Sequence, residues 1–577
     1  MKIINKYGLL FSWGLIIITD LLFRGTDWIQ QNFTGLHFLG NFVLSSLALL
    51  SFLYIISYIS KKWILISLFI LFVIFPQLLN GNYFIVYKKF ISPAIFRLFC
   101  ESTKMVTTTG ADNVSYFYIF FLIIFSIGAI FFLIKFKPKR KWLIIPNFIL
   151  SLSAFIFLLI HWFSVDFFQQ SSFAFYNNMA QSIIEANNVN YNYTKVKLSP
   201  FTNIKEKKPN FVFIIGESQV LQHMQIYGYN KKTTPNLKKL YDQKKIIPFT
   251  KVISVGNKTR LSVPYMLTGL MGPDPNGVIY QYPTIFDYAK NAGYTTIFIS
   301  AQDLRWGNIY KMFNNKNLDI ILDGNNFSAS VDVHKGIDDL IILPKIFDVL
   351  KNCKPPFLLV LQMDGSHYPY NIHSPDSLKK FLPEDSPNCI NAYDNTLVVT
   401  DLYLSRLYKL ISAKYSDTYM FFSPDHGQNL GGQNGYFNDN YSNLVINNAL
   451  IVFPPVNDTS RYNIFNKNKN RLSSQADIFA TILDLINIKP QYKIDGISLL
   501  SKPTKKRLII CSEYMPTFHN NPHCAIVDTN LQTKLIFFDK KSVTDNTNNT
   551  YYSYDKLPEF IKKSLKKRLN RKIPEKL

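Results

Sequence analysis

The stretch Phe211-Val-Phe-Ile-Ile-Gly216-Glu217-Ser218 is an apolar, partly β-branched run that ends abruptly in a glycine and a carboxylate. Similar short runs follow at Thr295–Ser300, Phe357–Gln362 and Tyr419–Ser423, with amphipathic segments of helical spacing between them. This alternation predicts an α/β domain with a largely parallel sheet wrapped by helices. Ligand residues gather at the strand ends of such sheets, and Glu217 falls at one of those ends.

Three further segments carry metal-ligand or nucleophile side chains at predicted strand ends or in loops. They are Ser254-Val-Gly256-Asn-Lys258-Thr259-Arg260, Asp364-Gly-Ser366-His367 and Ser423-Pro-Asp425-His426-Gly427. Carboxylates and imidazoles that meet at strand ends are suitable ligands for Zn²⁺. A metal-bound hydroxyl such as that of Thr259 loses its proton more readily and becomes a nucleophile. Each segment alone is more often structural, but all four in this order predict a metal-assisted nucleophilic site.

The 577-residue chain is 48% hydrophobic and 15% aromatic, yet its mean hydropathy is only +0.04. These values indicate one very apolar region joined to an ordinary polar region. Abundant aromatic and β-branched residues, with no visible short period, exclude the collagen-like, coiled-coil and disordered classes. The five cysteines show no CxxC spacing, which argues against a zinc ribbon or a thioredoxin-type motif. In an oxidising compartment, Cys353 with Cys389 and Cys511 with Cys524 are candidate pairs that leave Cys100 over, and the connectivity stays open.

All the long apolar runs lie before residue 165, and each is near the ~20 residues that a helix needs to cross a bilayer. The five predicted spans are Tyr7–Phe23, Phe38–Ile59, Trp63–Leu79, Ser115–Ile134 and Trp142–Ser164. Lysine and arginine cluster before the first span, between the second and third, and between the fourth and fifth. The positive-inside bias makes that side the cytoplasm. The chain after Ser164 is therefore predicted to lie in the periplasm, outside the inner membrane of a bacterial cell.

These shifts in composition also give the domain boundaries. We predict a transmembrane domain over 1–164, a connector with room for an interfacial helix over 165–208, a catalytic domain over 209–555 and a basic tail over 556–577. The tail suits either an anionic lipid surface or a solvated helix. The net charge of +25 lies in loops and in this tail without a binding motif, which argues against nucleic acid. Asp20 and His161, near the outer ends of their spans, either contact substrate or reach headgroup water.

The full series of motifs resembles one known family. The segments that carry the resemblance are Gly216-Glu217-Ser218, Gly228-Tyr229-Asn-Lys-Lys-Thr-Thr234-Pro235-Asn236, the Thr259 loop, Asp364-Gly-Ser-His367, Tyr393-Asp394-Asn395-Thr396 and Ser423-Pro-Asp425-His426-Gly427. They are similar to those of the membrane phosphoethanolamine transferases of Gram-negative envelopes, members of the alkaline phosphatase/sulfatase superfamily that include lipid A-modifying, polymyxin-resistance enzymes. The resemblance covers nearly the whole chain. It implies a five-helix transmembrane module followed by a periplasmic sulfatase/alkaline-phosphatase-like α/β/α domain.

The resemblance also implies a zinc site and a covalent mechanism. Glu217, Thr259, Asp425 and His426 would hold the catalytic Zn²⁺, with Thr259 also the nucleophile, and His367 would lie near the transferred phosphate or a second metal. The implied reaction transfers phosphoethanolamine from phosphatidylethanolamine to lipopolysaccharide, on a lipid A phosphate or a core sugar, through a phospho-threonine intermediate. The expected protein is a membrane-embedded monomer.

The chain departs from that family at several positions. The family's Asp-His-Gly-Glu segment ends here in Gln428, and the further histidine of the lipid A enzymes is replaced by Asn438. An asparagine is a poor zinc ligand but can hydrogen-bond a phosphate. The disulfide that brackets the nucleophile in many relatives is absent, because Val255 and Tyr265 stand at its positions. These differences favour core-sugar enzymes or a separate branch over the best-known lipid A subgroup.

Lys258 and Arg260 flank Thr259 and either bind phosphate or belong to a solvated basic loop. Three functions stay open at this point. The leading prediction is a phosphoethanolamine transferase, and the Tyr393-Asp394-Asn395-Thr396 segment favours it over a phosphoglycerol transferase on the same fold. The third is a non-catalytic, lipid-sensing membrane protein, against which the intact set of metal-ligand residues argues.

Overall fold

The computed structural model describes the chain except residues 1, 33–35, 88–89, 94, 97–98, 100–113, 137, 139, 162–168, 187–192, 202–207, 305–308, 310–311, 313–314, 328–335, 387–388, 432–435, 439, 505, 516–522, 539–540 and 546–549. It divides into two compact units, Met1–Asn190 and Tyr191–Leu577. The predicted boundaries within and between these units, at residues 164, 208 and 555, stay predictions.

The first unit is helical where the structure describes it. Its helices are α1 (Lys2–Asn32), α2 (Leu36–Ile56), α3 (Lys62–Phe69), α4 (Phe75–Tyr87), α5 (Tyr116–Lys135), α6 (Ile144–His161) and α7 (Ser171–Ala186). A π-helical segment, Ile70–Ile74, joins α3 to α4 without a break. The helix α1 packs on α5, α2 on α6 and α4 on α7. The segment predicted as a connector therefore contributes α7 to this unit.

Among the residues that the structure describes, four apolar helical segments are long enough to cross a bilayer, namely Lys6–Arg24, Lys62–Ile85, Tyr116–Lys135 and Lys141–Ile160. They coincide with the first, third, fourth and fifth predicted spans. The second predicted span coincides with α2, whose apolar part among the described residues is the shorter Gly40–Ile56. The chain thus begins with a set of apolar helices, as the hydropathy predicts.

A buried ion pair fixes the start of α7 within this unit. The carboxylate of Asp20 accepts hydrogen bonds from Nη2 of Arg24 at 3.0 Å and from the backbone N–H of Ser171 at 3.2 Å. Arg24 also donates to the carbonyl of Gln169 at 2.6 Å, and its guanidinium lies over three phenylalanine rings. Burying two charges costs free energy unless they are paired, so this pair gives Asp20 a structural partner. The side chain of His161 lies outside the described part.

The second unit is built on an eight-stranded sheet. Its strands are β1 (Asn210–Gly216), β2 (Ile247–Ile253), β3 (Thr295–Ser300), β4 (Ile320–Leu322), β5 (Phe357–Gln362), β6 (Thr418–Pro424), β9 (Asn447–Phe453) and β10 (Ser473–Ser474). The strands β7 (Asn429–Leu430) and β8 (Tyr436–Phe437) form a separate small hairpin. The order in the sheet is β10-β2-β9-β6-β1-β5-β3-β4. The pairs are parallel except that β9 runs antiparallel to β2 and β6. The four strands predicted from the sequence are all present, and the largely parallel sheet is confirmed.

The helices of this unit surround the sheet. They are α8 (Pro235–Asp242), α9 (Thr259–Thr268), α10 (Ile285–Asn291), α11 (Gly324–Phe327), α12 (Asp339–Lys351), α13 (Ile390–Lys414), α14 (Asn443–Ile446), α15 (Thr459–Asn468), α16 (Ala476–Leu485) and α17 (Glu559–Leu569). The strands β1, β5 and β6 are buried along their whole length, which their unbroken apolar runs require of a sheet covered on both faces. Every residue of α9 is also buried, and α9 packs on α16.

A second, antiparallel sheet follows in the chain. Its strands are β11 (Leu508–Ser512), β12 (His523–Asp528), β13 (Thr533–Phe537), β14 (Ser542–Asp545) and β15 (Thr550–Ser553), paired in that order. Cys524 lies opposite Ser512, so Cys511 and Cys524 are on opposite faces and cannot form the bridge considered from the sequence. Cys353 and Cys389 are also free thiols. Cys100 lies outside the described residues.

The basic carboxyl-terminal segment forms α17 and packs on this unit. Ile561 and Leu565 are buried on one face of the helix, and Arg568 donates to the carboxylate of Asp495 at 2.6 Å. Lys563 and Lys567 lie on the exposed part. The amphipathic pattern of the tail is thus explained by packing on one side and solvent on the other.

Replacing Leu359 by alanine tests the importance of the central strands. Leu359 lies in β5 between β1 and β3 and is fully buried. Loss of its side chain leaves a cavity, so we expect the free energy of unfolding to fall by about 2–5 kcal/mol. Denaturant unfolding of the purified protein measures the change. Leu410→Ala on α13, where Leu410 is 41% exposed, is the control and should cost much less.

Candidate metal centre and nucleophile

Two carboxylates and one imidazole meet at the carboxyl end of the central strands. Glu217 follows β1 and Asp425 follows β6, and the two emerge at the same edge because Gly216 lies level with Pro424. The backbone N–H of Asp425 also donates to the carbonyl of Gly216 at 3.0 Å. Glu217, Asp425 and His426 are buried, and each offers one ligand atom within 4.8 Å of the others.

Thr259 lies against this cluster at the first position of α9. Its Oγ1 donates to Oε2 of Glu217 at 3.1 Å and lies 3.4 Å from Nε2 of His426. The buried helix holds this hydroxyl at a fixed point, because every neighbour of Thr259 along α9 is packed in the core. The structure therefore brings together the four residues to which the motifs assign the metal site, while their roles stay predictions.

The orientation of His426 is set by the backbone. Its Nδ1 lies 2.8 Å from the carbonyl oxygen of Gly427, which can only accept, so Nδ1 carries a proton. The other nitrogen, Nε2, lies 3.1 Å from Oδ2 of Asp425 and 4.0 Å from Oε1 of Glu217. A carbonyl bond at Nδ1 with Nε2 facing the site is the arrangement by which proteins orient metal-binding histidines.

Burial and neighbouring charge shift the pKa of each of these groups. Burial and the nearby Asp425 carboxylate raise the pKa of Glu217 to about 7. Burial alone lowers the pKa of His426, but the adjacent Asp425 and Glu217 carboxylates outweigh it and raise the value to about 9. Burial raises the pKa of Asp425, yet His426 and its hydrogen bonds hold it below the usual value. The site therefore carries more negative than positive charge once Glu217 ionises.

These residues fit a divalent cation. Two carboxylates and one neutral imidazole are the oxygen and nitrogen ligands that Zn²⁺ accepts. Oδ2 of Asp425 is fully buried, and Nε2 of His426 faces it at 3.1 Å. When His426 is neutral, a cation at this position would compensate the buried carboxylate. The candidate ligands are Glu217, Asp425 and His426, with Thr259 beside them.

The remaining predicted residues lie around this centre. Asn438 Nδ2 is 3.1 Å from Nε2 of His426, so it contacts a candidate ligand. Lys258 forms an ion pair with Glu513 at 3.3 Å, and Arg260 is buried in the first turn of α9, which excludes a solvated basic loop at either position. His367 is held by a hydrogen bond between its Nδ1 and the carbonyl oxygen of Tyr368 at 2.7 Å and is outside the three-residue cluster.

The carboxylate of Glu217 is held by side chains that the motif analysis did not single out. Ser218 donates its hydroxyl to Oε1 at 2.7 Å, and Gln302 donates Nε2 to Oε2 at 3.0 Å. Gln362 donates to the amide oxygen of Gln302 at 3.0 Å, which fixes the direction of the Gln302 amide. Gln302 follows β3 as Glu217 follows β1, so the strand-end rule that found Glu217 applies equally to Gln302.

The first turn of α13 anchors the loop that carries Glu217. Tyr393 is fully buried, and its hydroxyl donates to the carbonyl of Ser218 at 2.8 Å and accepts from the N–H of Val220 at 2.6 Å. Both bonds lie within three residues of Glu217. Tyr393 is therefore a positioning residue for the candidate ligand, a role that the motif alone did not show.

The next residues of this turn anchor other loops. Asp394 is fully buried and binds Nδ1 of His223, the hydroxyl of Tyr229 and Nζ of Lys231 at 2.8, 3.1 and 2.7 Å. Asn395 accepts from the backbone of Lys380 and Phe381 and donates to the carboxylate of Glu384. Thr396 contacts Ser366 through their hydroxyls at 2.6 Å. Four consecutive side chains thus hold the loops that follow β1 and β5 and the segment that precedes α13.

A tight turn brings the His367 segment against Glu217. Gly365 has φ +55°, and a side chain there would collide with the backbone of Glu217 and the amide of Gln219. The carboxylate of Asp339 accepts from the N–H groups of residues 364 and 365 at 3.0 Å each. The N–H of Ser366 then donates to the carbonyl of Glu217 at 2.9 Å. Only glycine permits this approach of two loops.

Comparison with known proteins agrees with this geometry. Residues 209–488 match the sulfatase family. All of the metal-ligand candidates in the second unit lie within these bounds.

Curated relatives match the same region. YhbX of Escherichia coli K12 is 31% identical over 221 residues, 38% of this chain and 37% of the relative. The Kdo(2)-lipid A phosphoethanolamine 7''-transferase of Salmonella typhimurium is 27% identical over 230 residues, and the phosphatidylethanolamine transferase Mcr-2 of Escherichia coli is 28% identical over 252 residues. The matched segments cover 38% and 41% of this chain, and 39% and 46% of those two relatives. The resemblance to phosphoethanolamine transferases predicted from the motifs is thus confirmed.

A solved structure shares the fold over most of the chain. The integral membrane lipooligosaccharide phosphoethanolamine transferase A of Neisseria meningitidis has a TM-score of 0.61 with 17% identity. The superposition covers 83% of this chain and 95% of that protein. At this identity the likeness concerns the fold alone. It confirms the predicted architecture of apolar amino-terminal helices followed by a sulfatase-like α/β domain.

Zinc binding to the purified protein should depend on pH and release protons. Glu217 and His426 must both be deprotonated to bind metal, and their pKa values are about 7 and about 9. We therefore expect affinity for Zn²⁺ to rise between pH 6 and pH 9. Calorimetry in buffers of different ionisation enthalpy measures both affinity and proton release. An affinity that does not change over this range would contradict the assignment.

Tyr393→Phe removes only the hydroxyl that holds the Glu217 loop. The buried N–H of Val220 then loses its acceptor, so we expect a loss of about 1–3 kcal/mol in stability and weaker zinc binding. Tyr415→Phe is the matched control, because its hydroxyl donates to the carbonyl of Leu350 elsewhere in the domain. Equal zinc affinities of the two variants would show that Tyr393 does not position the site.

Proposed function

We propose that this chain is a metal-dependent phosphoethanolamine transferase. It takes phosphoethanolamine from phosphatidylethanolamine and transfers it to lipopolysaccharide, on a lipid A phosphate or a core sugar. The observation that carries the proposal is the contact of one buried hydroxyl, that of Thr259, with both Glu217 and His426. The relatives named as phosphoethanolamine transferases support it, although each match spans less than half of the relative's length.

In this proposal Thr259 is the nucleophile and Zn²⁺ is the cofactor. When bound, the metal lowers the pKa of a hydroxyl and neutralises charge on phosphoryl oxygens. Glu217, Asp425 and His426 would hold it. Oγ1 of Thr259 forms a bond to phosphorus as the bond between phosphorus and the diacylglycerol oxygen breaks, and the hydroxyl proton ends on diacylglycerol. The acceptor then displaces Thr259 from phosphorus and restores the hydroxyl.

The chain's own residues prepare this step. Glu217 accepts the hydrogen bond of the Thr259 hydroxyl and so fixes the direction of its O–H bond. The helix α9 fixes Oγ1, which removes the entropy cost of finding the attacking position. His367, on the turn bonded to the Glu217 loop, is proposed to lie near the transferred phosphate, with a second metal there as the alternative. The amide of Asn438 is proposed to turn away from His426 and to bind the phosphate.

The proposed location follows from the apolar helices and the charge pattern. The chain is a multi-pass protein of the bacterial inner membrane with its sulfatase-family domain in the periplasm, where both lipids are reached. It is proposed to act as a monomer.

Mass spectrometry of lipopolysaccharide from cells that express the chain tests the function. We expect a phosphoethanolamine increment with the wild type and none with Thr259→Ala, because the nucleophilic oxygen is lost. The fragment masses separate lipid A from core-sugar acceptors. Thr250→Ala is the control, because Thr250 Oγ1 bonds Asn470 on the surface of the domain.

The other outcomes separate the alternatives. A phosphoglycerol increment in place of phosphoethanolamine would identify a phosphoglycerol transferase on the same fold. No increment with either protein, together with no zinc in the purified chain, would support a non-catalytic, lipid-sensing protein.

A further inference from the structure

A buried carboxylate from the second sheet reaches the loop before Thr259. Glu513 follows β11, and its side chain is only 2% exposed. Nζ of Lys258 lies 3.3 Å from its Oε1, and Nδ2 of Asn257 donates to the same oxygen. The N–H of Ser512 also donates to the carbonyl of Val255 at 3.2 Å. The end of β11 is therefore attached to the segment that leads into the nucleophile.

This ion pair lies close to the candidate metal centre. Nδ2 of Asn257 is also 3.2 Å from the carbonyl oxygen of Asn438, whose Nδ2 lies 3.1 Å from Nε2 of His426. Two side chains thus connect Glu513 to His426. Lys258 is the residue immediately before Thr259, with extended backbone. A headgroup whose phosphorus lies at Thr259 would therefore lie close to both Lys258 and Glu513.

The ring of His523, which contacts two further aromatic rings, lies near the Glu513 carboxylate. The hydroxyl of Tyr441 accepts from the N–H of Glu513 at 3.2 Å. The ring of His523 lies edge-on to Tyr441 and stacks on Phe537, and its Nε2 is 3.9 Å from Oε2 of Glu513. A carboxylate beside aromatic rings is a favourable environment for an organic ammonium group.

We propose that Lys258 and Glu513 form the subsite for the donor headgroup, Lys258 for the phosphate and Glu513 for the ethanolamine ammonium. The proposal rests on the function proposed above. In the structure the ammonium of Lys258 already lies against Glu513, so the carboxylate accepts a group of that chemistry. On binding, the substrate ammonium takes the place of the lysine ammonium, and Lys258 turns to the phosphate.

Charge balance makes this subsite selective. The phosphoethanolamine headgroup is a zwitterion, and it converts one buried ion pair into two without adding net charge. A phosphoglycerol headgroup brings the same phosphate but no cation. Lys258 could bind that phosphate only by giving up its ion pair with the buried Glu513 carboxylate, and the glycerol headgroup has no cation to replace the lysine, which costs free energy. The pair therefore favours ethanolamine over glycerol at the same nucleophile.

The test compares two donors on the full-length, zinc-loaded protein in detergent. Diacylglycerol release is measured with phosphatidylethanolamine and with phosphatidylglycerol. Glu513→Gln removes the charge but keeps an amide oxygen that can accept from Asn257, so the loop attachment is retained. Asp545→Asn is the matched control, because it removes a paired carboxylate, the partner of Lys534, from the same sheet.

The expected result is a change in preference between donors. We expect Glu513→Gln to lower the ratio of kcat/KM for phosphatidylethanolamine to that for phosphatidylglycerol by about tenfold or more, since a charge-assisted bond is lost with one donor only. Lys258→Gln should weaken both donors alike, and Asp545→Asn should leave the ratio unchanged. An equal loss for both donors with Glu513→Gln would show a merely structural role and overturn the proposal.

A binding measurement separates this proposal from the proposed function. In full-length Thr259→Ala, we expect phosphoethanolamine to raise the melting temperature more than glycerol 3-phosphate does. This preference should disappear when Glu513→Gln is added. Selective binding without any transfer by the wild type would overturn the function and keep the subsite. Equal stabilisation by the two ligands in Thr259→Ala would overturn the subsite.

Discussion

The side chains of Glu217 and Asp425 are buried next to each other, and the surrounding structure depends on how that negative charge is compensated. Two buried carboxylates cannot both ionise without donors or a cation nearby. Hydrogen bonds from Ser218 and Gln302, together with the imidazole of His426, supply part of the compensation. A divalent cation would supply the rest. The two carboxylates lie together because the register of β1 and β6 places Gly216 level with Pro424.

The loops around the site are hydrogen-bonded to regular structure at several points. The turn at Gly365 is held by Asp339 at the start of α12, and the Glu217 loop is held by Tyr393. The segment before Thr259 is held from the opposite side by β11 and by Gln475, which accepts from the N–H of Val255. This second set of bonds reaches the segment that leads into Thr259.

Much of this arrangement could be predicted from the sequence. The four apolar runs predicted the central strands, and the polar residues that follow two of these runs predicted Glu217, Asp425 and His426 as ligands. Both predictions rest on the local hydrophobic pattern. The ion pair of Lys258 with Glu513 could not be predicted, since it joins residues that are 255 positions apart and no local pattern links them. Gln302, two residues after β3, was missed because an amide side chain is not among the usual zinc ligands. The hydrogen bonds that join Asp20 to Ser171 and Arg24 to Gln169 at the start of α7 are likewise long-range contacts.

The first turn of α13 is a common attachment point for the loops around it. Successive residues of a helix point about 100° apart, so Tyr393, Asp394, Asn395 and Thr396 face almost the whole circumference. This turn holds each loop only at the residues that it bonds. Beyond those points the loops are free to lengthen or to change composition. The domain can therefore alter what it recognises at its rim while the atoms that would carry out the chemistry stay in place.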